Sequence, residues 1–193
     1  IAWFAYRNAS ELQPTKLAGS ILMKLRHLKT ERKEYVTTLA TYKSIDHQTD
    51  RKGMSATDKR RGDIMAYMEK MIKKVDEEIM NTLKSDPDVY NSFFLLKSIA
   101  GVGNVIALDT IIYTDNFTSI TDARKYACHC CVAPFPNSSG TVNKGTHVNR
   151  MGHREVKANL SMGVKSAITF SPTFGAYYER KKEGRESIWS HYQ

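Results

Sequence analysis

Two stripes of apolar residues restrict this chain more than anything else in it. Leu17, Ile21, Leu25, Leu28, Arg32, Tyr35, Leu39 and Tyr42 recur at steps of four and three. That spacing lines one face of a helix and matches the seam of a coiled coil. Arg32 is the polar exception, and its alkyl stem can follow the seam while its head reaches water. A second stripe runs Ile64, Met68, Met71, Val75, Ile79, Leu83, with Ser55 as N-cap and Asp58 three residues later as a weak capping box. Residues 46–53 between them are polar and close on Gly53. Two amphipathic helices with a polar connector predict an antiparallel hairpin, a packing or spacer element that needs no chemistry.

Shorter helices follow. Asp86-Pro87 offers an N-cap and a proline for the first helical position, predicting a helix over 89–97. A second apolar helix is expected over 104–113. The link is Ile99-Ala100-Gly101-Val102-Gly103, which has the form of a helix-hairpin-helix turn. Gly101 and Gly103 permit a tight turn and leave backbone N–H groups free at the next helix start, where they can hold a DNA phosphate without reading sequence. The same residues also suit a turn and nothing more. Ser119 is expected to open a helix over 121–131, with Asp122 in the capping-box position.

Cys128-His129-Cys130-Cys131 lies within that helix, and no metal is expected there. Structural zinc sites use paired Cys-x-x-Cys with a distant ligand pair, whereas side chains on one short helix fan around its axis. Buried apolar cysteines are the expectation. Three clustered cysteines give no even disulfide framework, so a reducing, cytoplasmic setting fits. No apolar run approaches the roughly 20 residues of a membrane helix, and no membrane partner is expected.

Residues 132–145 break the pattern, with two prolines, two glycines and several small hydroxyl side chains. They predict an exposed loop with room for a short hairpin. Ser138 and Ser139 precede Gly140, and Lys144, Arg150, His153 and Arg154 follow closely enough to surround a phosphate. A serine hydroxyl attacks only when a base or cationic surroundings activate it, and a serine beside glycine is commonly a turn residue. Charge supports a phosphate-facing surface. Residues 144–185 carry nine basic side chains against three acidic ones, out of a net +9 for the whole chain. A merely soluble basic face would look the same.

The remainder reads as two helices. Val156, Leu160, Val164 and Ala167 form a stripe over 153–170, and Ser171-Pro172 starts a helix over 172–182 that Gly184 is expected to end. Tyr177 and Tyr178 on that helix are expected in the core rather than stacked on bases.

Several of these segments occur together in a known order. They are Leu96 to Gly103, Cys131-Val132-Ala133-Pro134-Phe135, Ser138-Ser139-Gly140, Gly145 to Arg150, and Pro172 to Lys181. As a set, over about residues 90–190, they resemble the C-terminal transposase domain of serine-using insertion-sequence transposases. These are similar to Piv-type DNA invertases and guided by a bridging RNA. The resemblance implies that Ser139 attacks a DNA phosphodiester and forms a covalent serine–DNA intermediate. It implies DNA and a guide RNA as partners, and a homo-oligomer whose composite sites span subunits. It also implies Mg²⁺ held by an acidic tetrad in an N-terminal RuvC-like domain that lies upstream of this chain, so that the fragment is inactive alone.

The fold expected is mainly α: a long antiparallel helical hairpin, or coiled coil, then a small helical domain with a helix-hairpin-helix motif and an irregular Ser-Gly loop. Residues 1–15 would be the tail of the RuvC-like domain, 16–85 the coiled-coil hairpin and 86–193 the transposase domain. The expected function is DNA cleavage and strand exchange in transposition. Ser139 would be the nucleophile, with Lys144, Arg150 and Arg154 neutralising phosphate and Gly101 and Gly103 contacting DNA. The alternative is a non-catalytic helix-hairpin-helix DNA-binding module with a coiled-coil dimerisation arm.

Overall fold

A computed structural model describes residues 2–11, 19–48, 56–139, 142–148 and 152–189. Among them the chain is mainly α, as the periodicity predicts. A short α1 (Ala2–Arg7) precedes two long helices, α2 (Ser20–Gln48) and α3 (Ala56–Lys84). Ion pairs fix how these two run. Lys24 pairs with Glu78, Arg32 with Asp76 and Lys43 with Glu69. Partners fall in number on α3 as they rise on α2, so the helices are antiparallel. The Arg32 head stays partly exposed, as expected, and also meets Asp76 at 2.6 Å. Helix α2 also continues into the expected connector as far as Gln48. The Ser55 cap and Leu17 lie outside the described residues.

The two stripes face each other, but burial is uneven. Leu22, Leu25 and Leu28 pack with Val75, Ile79 and Leu83 in the main core. Toward the far end only Leu39 is buried among the described residues, and Ile64 is exposed. The reason is the third layer, which only the near end has. Helix α4 (Pro87–Lys97) starts on Asp86, whose carboxylate accepts from the Asp88 and Val89 N–H groups, with Pro87 in the first turn as expected. Helix α5 (Asn104–Thr114) is buried on nearly every side, including Ala107, Leu108, Ile111 and Ile112. Val89 and Phe93 of α4 and these residues of α5 close the core over the base of the α2–α3 hairpin.

Helix α6 (Ala123–His129) is shorter than predicted and begins later. Its N-cap is Asp122, which accepts from the Arg124 N–H at 2.7 Å, and not Ser119. A carboxylate adjoining the helix displaces the more distant hydroxyl. The segment expected as an exposed loop with room for a short hairpin does form one, from two antiparallel strands, β1 (Pro134–Ser139) and β2 (Val142–Val148). Helix α7 (Arg154–Phe170) follows, then α8 (Pro172–Trp189). Gly184 does not end α8; an interior glycine costs a helix only about 1 kcal/mol. No described helix is long and apolar enough to cross a membrane.

The glycine turn between α4 and α5 is set by contact with α7. Gly101 has φ +84°, and a Cβ there would collide with the Gly163 carbonyl oxygen and lie 2.9 Å from Ala167 Cβ. A Cβ on Gly163 would lie 2.6 Å from Ile106 Cδ1 and 2.7 Å from the Gly101 oxygen. Backbone therefore meets backbone at this crossing, which only two glycines permit.

Candidate functional site

The β1–β2 hairpin is the element that carries the candidate serine, and its base is held between α6 and α7. The His153 N–H donates to the His129 carbonyl at 3.1 Å, and the Gly152 N–H donates to Cys131 Sγ at 3.1 Å. A Cβ on Gly152 would strike the His129 oxygen and lie 2.7 Å from Cys131 Sγ. Cys131 turns the chain with φ +56°, an unusual value for a side-chain-bearing residue. Cys130 and Cys131 are buried, as the sequence predicts, whereas Cys128 is only half-buried. Burial raises the Cys130 thiol pKa against a smaller lowering by Tyr126.

From that root the strands pair Pro134 with Val148, Phe135 with His147 and Pro136 with Thr146. The register then shifts by one residue, so that Ser138 faces Asn143 and Ser139 faces Val142. The additional residue is on β2, where Gly145 has φ +80°. A glycine in the left-handed region at an extra residue is the signature of a bulge that bends and re-aims a strand. Prolines 134 and 136 fall two apart on β1, so the ladder forms only with both missing N–H positions turned away from β2.

Ser139 ends β1, in the last pair before residues 140–141, and Lys144 is two residues beyond its partner Val142. Arg154 is exposed at the first position of α7, beside the hairpin root. Arg150 lies outside the described residues. Gly101 and Gly103 are elsewhere. Gly101 packs on Gly163, nine residues along α7 from Arg154, or about 13 Å at 1.5 Å per residue. Gly103 is the N-cap of α5, extended and exposed, with no side-chain cap.

Beneath the hairpin root lies a polar cluster that sequence reasoning did not find. Asp109 of α5 is fully buried, pairs with Lys29 of α2 at 2.5 Å and accepts from Asn159 of α7 at 2.9 Å. Lys29 also donates to the Tyr113 hydroxyl at 3.3 Å and stands 4.8 Å from its ring centre. The Tyr113 and His153 rings are 4.2 Å apart, and the His129 and His153 rings 4.9 Å. Glu155 accepts from Lys33 at 2.7 Å and lies 4.0 Å from Lys29.

The electrostatics agree with the geometry. Burial works against the Lys29 charge, but the Asp109 carboxylate outweighs it and holds its pKa above the usual lysine value. Burial also works against the Glu155 charge, and Lys33 and Lys29 together hold its carboxyl below the usual range. His129 is pushed below the ordinary imidazole value by burial and then by the neighbouring His153. Its Nε2 is buried without a hydrogen-bond partner among the described residues. The cluster locks α2, α5, α6 and α7 together under the hairpin. No signal in sequence joins Lys29 to Asp109, since each alone reads as an ordinary helical charge.

Comparison with known proteins places the same region in context. Residues 94–179 match the family described as Transposase IS116/IS110/IS902. Over 88 residues the chain is 30% identical to the insertion element IS110 uncharacterized 43.6 kDa protein of Streptomyces coelicolor, covering 46% of this chain and 22% of that protein. Over 115 residues it is 24% identical to the insertion element IS116 uncharacterized 44.8 kDa protein of Streptomyces clavuligerus, covering 60% of this chain and 28% of that one. The chain thus spans about a quarter of the length of the curated relatives it matches. The stretch from the middle of α4 through the glycine turn, the β1–β2 hairpin and α7 into α8 is similar to the transposase domain of the IS116/IS110/IS902 type.

Proposed function

We propose that this chain is part of a DNA transposase that cuts and rejoins strands through a serine–DNA intermediate, with Ser139 as the nucleophile. The observation that carries the reading is the match of residues 94–179 to a transposase family, a span that includes the whole β1–β2 hairpin. Its support is the way that hairpin is built. Its foot is fixed by His129, Cys131 and Gly152, and a glycine bulge lies between the foot and the serine end. In the reaction, the serine oxygen bonds to phosphorus as the bond from phosphorus to one deoxyribose oxygen breaks. That oxygen leaves as a hydroxyl, and a later attack by a hydroxyl on the serine-linked phosphorus rejoins a strand and returns the serine. Lys144, Arg150 and Arg154 are assigned to offset the charge that builds on phosphate. Gly101 and Gly103 are assigned to hold the duplex backbone at the α5 N-terminus.

Guidance by RNA and assembly of two or more copies belong to the same proposal, from the family resemblance alone. So does Mg²⁺. The described residues do not fit it, since no three His, Cys, Asp or Glu side chains among them gather in a metal-holding arrangement.

Single substitutions in the parent protein separate the reading from its rivals. Ser139→Ala removes one hydroxyl and should abolish the covalent protein–DNA adduct on denaturing gels while folding and DNA affinity persist. Ser138→Ala should retain the adduct. An adduct that survives in both single variants and in the double variant would end the serine mechanism.

A further inference from the structure

Helix α8 carries aromatic side chains that the fold does not use. Tyr177 and Tyr178, expected in the core, are 52% and 46% exposed, because among the described residues α8 packs chiefly on α7 and leaves these rings partly open. With Phe174 they form one wall of a groove of about 410 Å³. Ile99 and Val102 of the α4–α5 turn and Val164 of α7 line it as well. The volume is within the roughly 300–1,000 Å³ of sites that hold small molecules or their equivalent.

An apolar slot lined by tyrosines suits either an apolar side chain or a nucleobase, and the charges around it discriminate. The Arg180 guanidinium is 5.4 Å and the Lys181 ammonium 5.7 Å from the Tyr177 ring centre, and Lys181 also lines the groove. Lys182 follows them on the same helix. An apolar side chain gains nothing from cations at that rim. A nucleotide does, because its flat base and its phosphate are one covalent unit a few ångströms apart. Bases inside a duplex hide both faces, so the base must be unpaired.

We propose that the groove between the α4–α5 turn and α8 holds an unpaired base of single-stranded DNA, stacked against Tyr177 or Tyr178, with Arg180 and Lys181 on the adjoining phosphates. The transposase match makes DNA the strand of choice over RNA. The site is distinct from the hairpin. The groove opens where Gly101 meets Gly163, about 13 Å along α7 from Arg154. It holds whether or not Ser139 attacks DNA.

The test uses this chain, a labelled oligothymidine strand, an abasic strand with the same number of phosphates, and an oligouridine strand. The chain should bind oligothymidine at least about fivefold more tightly than the abasic strand, the lower end of what base–aromatic stacking supplies. Tyr177→Leu with Tyr178→Leu keeps apolar bulk at exposed positions, so the melting temperature should hold while the preference for bases disappears. Equal binding of the base-bearing and abasic strands by the unaltered chain overturns the proposal. So does a preference that survives in the double variant. Tighter, tyrosine-dependent binding of oligouridine would make RNA the occupant instead. Sedimentation covers the remaining case: association of the unaltered chain that the double variant lacks, with no contribution from bases, would give the groove to a second copy. Serine chemistry fails separately, since loss of the adduct leaves these affinities untouched.

Discussion

Gly101 and Gly163 touch because neither has a side chain, and this contact shows what a sequence does and does not disclose at the scale of single residues. Gly101 is legible, since a Gly-x-Gly between two apolar helices asks for a turn. Gly163 is not, because a glycine inside a helical stripe looks like a weak helix position until its partner is known. The polar cluster was hidden for the same reason. Lys29 and Asp109 are eighty residues apart, and only packing reveals that each is the other's counter-charge. That cluster has a pH dependence with a definite sign. The folded-state pKa of His129 is depressed, by burial and then by His153, below the ordinary value of 6.5. The unfolded chain therefore takes up this proton first. The stability due to neutral His129 is complete above about pH 6.5 and is lost as pH falls from there through the folded value. Glu155, also depressed, loses its contribution in a lower window that starts near its ordinary value of 4.5. The groups facing His129 are Tyr113 of α5 and His153 at the start of α7, with Lys29 and Glu155 behind them. The melting temperature should fall between pH 7 and pH 5.5, and His129→Phe should flatten that part of the profile while leaving the fall below pH 4.5. An unchanged slope in His129→Phe would place the proton on another group.

At the scale of elements, the α2–α3 hairpin was the most legible part of the chain and the α6–β1–β2 region the least. Long helices repeat their signal over many turns, so one misplaced residue does not obscure them. The hairpin strands are short, carry two prolines and depend on a bulge at Gly145, features that in sequence resemble an irregular loop. The helical arm also shows where its energy lies. Leu25 is fully buried in the core shared with α4 and α5, whereas Ile64 and Tyr67, farther out on α3, are exposed. The near halves of the stripes thus bury one another within a single chain, and self-association through the arm would use its exposed far end. Leu25→Glu should cost more than about 4 kcal/mol and leave little folded protein, because it puts an unpaired charge in the core. Ile64→Glu with Tyr67→Glu should melt within a few degrees of the unaltered chain. If the arm joins two copies, sedimentation should then show only monomer for this second variant. A dimer that persists in it assigns association to another surface.

At the scale of the whole molecule, charge is distributed so that one part is used internally and another is left for a partner. Lys29 is committed to Asp109 inside the fold, and Arg32 to Asp76 at its edge. Arg154 is exposed at the start of α7 next to the hairpin root, in a stretch with six more basic than acidic side chains over residues 144–185. Cations that bind phosphate release condensed counterions, so the logarithm of duplex affinity should fall linearly with the logarithm of salt concentration. Each phosphate contact contributes about 0.9 to that slope. Arg154→Gln should therefore weaken duplex binding to about the same degree on unrelated sequences and reduce the slope by about one. Arg32→Gln is the control, because its charge is already spent on Asp76; it should lower thermal stability slightly and leave the slope alone. Anisotropy titrations of labelled duplex across a salt series measure both. A slope that ignores Arg154→Gln removes that residue from the phosphate-binding face. A slope near zero for the unaltered chain removes the face altogether, and with it the electrostatic basis for assigning Lys144, Arg150 and Arg154 to the transition-state phosphate.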